Sequence, residues 1–395
     1  MREMFRTHRR TLIYLIVSNL LLIFGFRVWQ ATFNNFAVET LHIGPEVIGG
    51  IQSLRELPGL LTFLVGFLAL VLSEVRIMAF SVMVLGIGII ITGQATALPL
   101  LLIGTVVMSF GFHFFGPSQT GIVLMQVDKE RAPKFLGQLK SIGAVGAIVA
   151  TGAVYFLADR LGYRSMFFIT GALMVAGGIV LFFMGKGRHG LPPKRRVVLR
   201  KKYWVFYSLA FLMGSRRHIF TTFAIFLLVS KFGISVKTTA ILFLVNNLIN
   251  TYAYQYIGKL VSRVGERLVL TLSSIILIPI FLGYAYVGIL PLLYVLFVLD
   301  NILFGVNMAV TTYLQKISDS QEEITSNLSL QTTINHISAV IVPVIGGTVW
   351  VAFGAQAPFL FGVIIVILTL ALAQFMRVPA VSNGAAVGKL DHLKC

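Results

Sequence analysis

The chain has 395 residues, 57% hydrophobic and only 12% charged, with a mean hydropathy of +0.89. Soluble globular chains carry about 25% charged residues, so a soluble fold is excluded. The one cysteine, Cys395, rules out an internal disulfide, and no cysteine-based metal site or nucleophile is in view.

About 20 consecutive apolar residues are needed for a helix to cross a bilayer. In chain order, twelve spans are predicted at 11–33, 46–72, 76–96, 98–126, 136–158, 163–184, 203–230, 237–258, 267–287, 289–315, 325–352 and 356–376. They are Gly-rich and lack the period-two alternation of outer-membrane strands, so they read as helices. The first follows a basic N-terminus and imitates a secretory signal. It continues past signal length into Arg27 and Asn34 without a small-residue cleavage site, so it is expected to be retained.

The formal charge of +18 would suit nucleic acid, but its distribution does not. With the N-terminus taken as cytoplasmic, 23 of the 32 Lys and Arg fall in the tails and the loops on that side. The opposite loops hold Arg160, Arg164, Lys231 and Lys237, and five more lie within spans. This asymmetry is the positive-inside rule. It predicts a cell (inner) membrane protein with both termini cytoplasmic, lipids as neighbours and no nucleic acid.

Residues 185–202, GKGRHGLPPKRRVVLRKK, carry eight Lys or Arg and part the first six spans from the last six. The halves echo each other. LPLL at 98–101 recurs at 290–293, an offset of 192 that also places Gly66 on Gly258, Glu74 on Glu266 and Glu130 on Glu322. Near spans one and seven the best offset is 189, setting GFRVWQATF (25–33) over GSRRHIFTT (214–222) and matching Gly25 to Gly214, Arg27 to Arg216 and Thr32 to Thr221.

The loop after span eight, GKLVSRVGERL (258–268), resembles the cytoplasmic signature Gly-x-x-x-Asp-Arg-x-Gly-x-Arg-Arg of the major facilitator superfamily. Gly258, Arg263, Gly265 and Arg267 match, with Ser262 at the acidic position. The first-half copy, GFLALVLSEVR (66–76), keeps Gly66 and Arg76. VPVIGG (342–347) resembles the Gly-Pro-x-x-Gly-Gly stretch of drug antiporters, yet the fifth span, where that stretch belongs, reads ATGAVY (150–155). Pro343, Gly346 and Gly347 therefore read as a kink and small-residue packing. The resemblance covers the whole chain. It implies an all-α polytopic fold of twelve transmembrane helices in two pseudo-symmetric six-helix bundles. The expected division is 1–184 and 203–376 for the bundles, 185–202 for the basic linker and 377–395 for a cytoplasmic tail, with the 258–268 loop as a gating latch.

Charged groups inside a bilayer are costly and face the bundle interior, pair, or serve a pathway. The ionisable candidates are Arg27, Arg55, Glu56, His113, Lys140, Arg216, Arg217, Asp300 and His336. Lys140, about a turn from its helix start, suits snorkelling to the interface. Polar stripes at helical spacing accompany the charges: Arg27, Gln30 and Asn34; Gln52, Arg55 and Glu56; Arg217 and Thr221; Asn246 and Asn250; Asp300, Phe304 and Asn307; Asn327, Gln331, Asn335 and Ser338. In the family this chain resembles, these helices line or flank a central cavity. Interhelical amide bonds are the alternative reading of the Asn and Gln residues.

Four arginines face two carboxylates, leaving about two guanidinium groups for an anion or deep water. Arginine's planar fork suits carboxylate or phosphate. The expected substrate residues are Arg27, Asn34, Arg55, His113, Arg216, Arg217, Asn246, Asn307 and Asn335, with Arg27 and Arg216 as symmetry mates, and Glu56 and Asp300 are the expected proton carriers. No cofactor motif is present, and the seven histidines form no spaced metal set along the chain. The expectation is a monomeric, proton-coupled secondary transporter of a small organic anion or anionic amphiphile, working by alternating access. A proton-coupled drug exporter is the alternative within the class. A polytopic membrane enzyme or receptor is the alternative outside it, and the former lacks a convergent nucleophile and base.

Overall fold

The computed structural model describes residues 9–126, 132–185 and 199–377. The sequence expectations for the N-terminal residues, Glu130, most of the basic linker and the tail after Arg377 fall outside them. Every regular element among the described residues is helical.

Helix α1 is Arg9–Asn35, running on through a π-helical turn, Phe36–Thr40. Helix α2 is Pro45–Leu60, prolonged by Leu61–Phe63 and Leu64–Leu68; α3 is Glu74–Gln94 and α4 is Leu98–Gln126. Ala132–Met184 is one helical stretch broken at Gly162, giving α5 (132–161) and α6 (163–184). Helix α7 is Trp204–Ile219, preceded by the short turn Lys201–Tyr203 and continued by a second π turn, Phe220–Ala224, and Ile225–Phe232. Then follow α8 (Val236–Val264), α9 (Glu266–Tyr286), α10 (Leu290–Ile302, prolonged by Leu303–Val306 and Asn307–Ile317), α11 (Gln321–Phe353) and α12 (Ala357–Ala373). Twelve helices thus stand where twelve spans are expected. Nine helical stretches among the described residues are long and apolar enough to cross a membrane, the α5–α6 stretch counting once; α8 and the 17-residue α12 fall outside that set.

The repeat visible in the sequence is visible in the backbone. Helices α3 and α9 both span 21 residues, 192 apart at each end, and α4 and α10 begin at Leu98 and Leu290. The corner between α5 and α6 is Gly162 (φ +72°), and that between α11 and α12 is Gly354 (φ +90°), again 192 apart. A side chain at either corner would be strained, because positive φ is open chiefly to glycine. Ser320 caps α11 by accepting from the Glu323 amide at 3.2 Å, an S-x-x-E start signal.

Two seams join the bundles. In the first, α2 packs on α11. A Cβ on Gly49 would lie 2.1 Å from the Pro343 carbonyl oxygen, one on Gly347 would lie 2.8 Å from that of Pro45, and one on Gly59 would lie 2.4 Å from the His336 ring. Small residues let the two backbones meet, the packing role expected of Pro343 and Gly347; Gly346 abuts Phe223 of α7 instead. In the second seam, Val28 and Ala31 of α1 and Ala150 and Val154 of α5 share an apolar cluster with Val236 and Ala240 of α8. Polar ties reinforce this end. Asn35 Nδ2 donates to the Ile234 carbonyl at 2.8 Å and its Oδ1 accepts from Thr239 at 3.2 Å, while Lys237 pairs with Asp159 at 2.7 Å. The bundles therefore close on the face bearing the turns at 41–44, 233–235 and 354–356. They part toward the face bearing the basic segment.

Candidate functional site

A cavity of ≈ 670 Å³ lies between the bundles. It opens toward the basic face, where Lys140, Ser141 and Gln255 are exposed along its wall. Aromatic rings of Phe26, Trp29, Phe33, Phe220, Phe243 and Phe304 alternate with amides of Gln30, Asn34, Gln52, Asn246, Asn247 and Asn250.

Three guanidinium groups reach it: Arg27 from α1, Arg55 from α2 and Arg217 from α7. Arg27 donates to Gln30 Oε1 at 2.7 Å, and its Nε is buried without a partner. Arg217 is exposed to the cavity, 5.8 Å from the centre of the Phe304 ring. Neither Arg27 nor Arg217 has an acid within ion-pair distance among the described residues. Arg55 donates through Nε to Gln52 at 2.9 Å and through Nη2 to Glu56.

Asn34 Oδ1 and both side-chain polar atoms of Asn246 are buried without partners, and Asn250 donates to Asn301. A buried amide that bonds nothing in the protein is costly unless water or ligand completes it. These groups therefore add uncharged contacts around the guanidinium groups.

Arg216, expected as the mate of Arg27, does not reach this cavity. It is 5% exposed, pairs with fully buried Asp300 and lies 4.6 Å from the Phe304 ring centre. Arg216 points about 100° around the axis from Arg217; it turns to Asp300 behind the wall, and the cavity receives Arg217. Asp300, as its partner, lies behind the wall too. Asn307 is exposed and lines no part of the cavity. Asn335 packs on α7, its Oδ1 3.1 Å from where a Gly214 side chain would begin.

His113 stands off the main cavity, in an adjoining pocket of ≈ 450 Å³ that shares Arg27, Lys140 and Asn247 with it. There it approaches Glu56. The Glu56 carboxylate is 6% exposed; one oxygen takes Arg55, and the other lies 3.1 Å from His336 Nδ1 and 3.8 Å from His113 Nε2. The two imidazole rings meet edge to face at 5.0 Å. One potential ligand atom from each of Glu56, His113 and His336 lies within 4.8 Å of the others, the one such group among the described residues. Spacing along the chain gives no sign of it, since Glu56 and His336 are 280 positions apart. Arg55 already neutralises the carboxylate, which opposes a divalent cation there. His218 of α7, 7% exposed and with an unpartnered Nε2, stands near the same carboxylate, and no spacing in the sequence singles it out.

The signature loop lies within the second bundle. Arg267 donates to Gln374 Oε1 at 2.9 Å, and Glu266, 4% exposed, pairs with Lys316 of α10 at 2.7 Å. Ser262, at the acidic position, bonds the Gly258 carbonyl, so an acid four residues later ties the loop to α10. Arg263 is exposed, and Gly265 (φ +86°) forms the corner. In the first bundle the corresponding Glu74 is buried, and Arg76 lies over Phe182.

The model of the Major Facilitator Superfamily matches residues 15–343. Among curated proteins, the uncharacterized protein YqgE of Bacillus subtilis (strain 168) is 26% identical over 235 residues; the match spans 54% of this chain and about half (52%) of that relative. Among solved structures, a bacterial homolog of the human lysosomal transporter Spinster, in an inward-facing and occupied conformation, superposes with a TM-score of 0.75 at 16% identity, covering 94% of this chain and 96% of that one. The nucleoside transporter NupG gives a TM-score of 0.74 at 17% identity, covering 92% of this chain and 97% of that one. At such identities the structural likeness speaks for the fold. With the family model it fixes the assignment: the chain is a multi-pass membrane protein belonging to the Major Facilitator Superfamily.

Proposed function

We propose that the protein is a secondary active transporter that moves a small organic anion by alternating access, in exchange with protons or alongside them. The observation that carries this reading is the interbundle cavity, where Arg27 and Arg217 reach toward the centre with no carboxylate partner among the described residues. An anion with a planar carboxylate or a phosphate would satisfy both, since guanidinium groups bind such groups through paired, charge-assisted hydrogen bonds. Aromatic faces and free amides would hold its neutral part.

The bundles are assigned to 1–184 and 203–376, joined by a cytoplasmic linker at 185–202 and followed by a cytoplasmic tail at 377–395. The cavity then opens to the cytoplasm, in the inner membrane, in a protein acting as a monomer. The 258–268 loop governs closure within its own bundle. Glu56 is the carboxylate best placed to exchange protons, because its Arg55 partner borders the cavity; Asp300 is walled off with Arg216. The apolar wall of the adjoining pocket, with Leu22, Ile23, Phe112 and Phe115, favours an amphiphilic anion as a second reading.

The test is a thermal-stability screen of the purified protein against anionic, neutral and cationic small molecules. A ligand at 100 times its Kd stabilises the native state by about 2.7 kcal/mol. Stabilisation by anions, lost in Arg27→Ala, supports the reading. Stabilisation by cations alone sinks it.

A further inference from the structure

The Glu56–His113–His336 cluster sits where the bundles meet. Glu56 belongs to α2, His113 to α4 and His336 to α11, and His336 lies against α2 so closely that Gly59 admits no side chain beside it. The groups facing the carboxylate are Arg55 on its own helix, His113, His336 and, from α7, His218. Of these, Arg55 also lines the substrate cavity. Its guanidinium is thus shared between the carboxylate and any anion that enters.

That sharing has a chemical consequence. With Arg55 on Glu56 and both imidazoles neutral, the cluster is charge-balanced. An anion that draws Arg55 toward the cavity leaves a nearly buried carboxylate without its cation, a costly state. A proton from water restores the balance. It has a place to go: His113 Nε2 is buried, lacks a hydrogen-bond partner and lies 3.8 Å from the carboxylate oxygen that His336 also approaches. The imidazolium then takes over the role of Arg55. Because linkage is reciprocal, the proton tightens the anion as much as the anion tightens the proton. His336 comes from the opposite bundle, so any rocking that opens the α2–α11 seam changes the partners of the carboxylate.

We propose that Glu56, His113 and His336 form the proton site of the transporter, loaded in step with the anion through Arg55, so that anion and proton travel in the same direction. This rests on the anion-transport reading above.

The experiment uses the full-length protein in detergent, with benzenesulfonate and sulfate as probe anions, since neither titrates near neutral pH. Calorimetry in two buffers of different ionisation enthalpy gives the protons taken up per anion bound. The expected result is about one proton per anion for the wild type, falling several-fold in Glu56→Gln and His113→Gln and kept in Asp300→Asn. An anion that binds without proton uptake, or full uptake in Glu56→Gln, overturns the proposal and leaves the anion site standing. If neither probe binds, an anion-free arm decides: infrared difference spectra across pH should show a titration in the wild type that is lost in both Glu56→Gln and His113→Gln. Spectra unchanged by both substitutions overturn it. So does stabilisation by micromolar zinc chloride that needs His336 and occurs without proton uptake, which would make the triad a metal site.

Discussion

Removing the carboxylate of Asp300 is expected to be among the most damaging single changes in the second bundle. Asp300 is fully buried and its partner Arg216 is 5% exposed, so Asp300→Ala strands a guanidinium almost wholly out of water. Breaking a buried pair from one side costs about 3–5 kcal/mol. The Phe304 ring 4.6 Å from the guanidinium is retained in the variant, so its contribution of roughly 0.5–2 kcal/mol cancels from the difference. The expected loss is therefore about 3–5 kcal/mol for Asp300→Ala. Asp300→Asn, which keeps a carbonyl for Arg216 to bond, should lose less. The double variant Arg216→Met with Asp300→Leu removes both charges and should return to within about 1–2 kcal/mol of wild type, because desolvation of both ions disappears together. Unfolding in mixed micelles with sodium dodecyl sulfate, followed through Trp29, Trp204 and Trp350, gives the stability of each variant. A double variant as unstable as Asp300→Ala would refute the argument, as would an Asp300→Ala variant within about 1 kcal/mol of wild type.

In the cavity, Arg27→Ala and Arg217→Ala should each weaken a stabilising anion by about 1.5–3 kcal/mol, the range of a charge-assisted hydrogen bond; titration calorimetry of each variant checks this, and an unchanged Kd removes that arginine from the site. At the seam, Gly49→Val should block the close contact of α2 with Pro343 and cost about 1–3 kcal/mol by overpacking; thermal stability in detergent reads it, and a wild-type melting curve contradicts the seam. Tyr203 first, then the Asp319 amide, Lys202 and Arg200, hold the Glu323 carboxyl below its ordinary range against the opposing pull of burial. Its stabilising effect is therefore full above the ordinary carboxylate pKa and fades as pH falls through the lowered one, so Glu323→Gln should flatten the acid limb of the stability profile. For topology, in a Cys395→Ser background, a cysteine at Leu199 should react with impermeant maleimide only in inverted vesicles and one at Glu46 only in intact cells; the reverse pattern inverts the assignment.

The helices are legible in the sequence because each obeys a local rule. Apolar length marks the spans, and the 192-residue offset carries over from LPLL to the ends of α3 and α9, and on to the corner glycines Gly162 and Gly354 that the structure adds. The charge count leaves about two guanidinium groups over, and in the structure Arg27 and Arg217 lack an acid within ion-pair distance among the described residues. Which two is not legible. Arg216 and Arg217 are neighbours, and their facing depends on the rotation of α7, which the π turn at Phe220–Ala224 shifts beyond it. An offset of 189 aligns residue types without fixing that rotation. The histidine cluster is hidden for a different reason. His113 and His336 look isolated on their own helices, and only the approach of glycine-bearing backbones between α2 and α11 brings them to Glu56.

The amides along α8 bear on how the protein is made. Asn246, Asn247 and Asn250 give this helix a wet side, and it is not among the stretches apolar enough to cross a membrane by themselves. A nascent α8 offered to lipid alone would carry those groups unsatisfied. The partner of Asn250 is Asn301, which the ribosome adds 51 residues later. Shelter available sooner is the first bundle, where Val28, Ala31 and Ala150 receive Val236 and Ala240. The first bundle thus offers α8 an apolar seat that is complete before the ribosome has made α10.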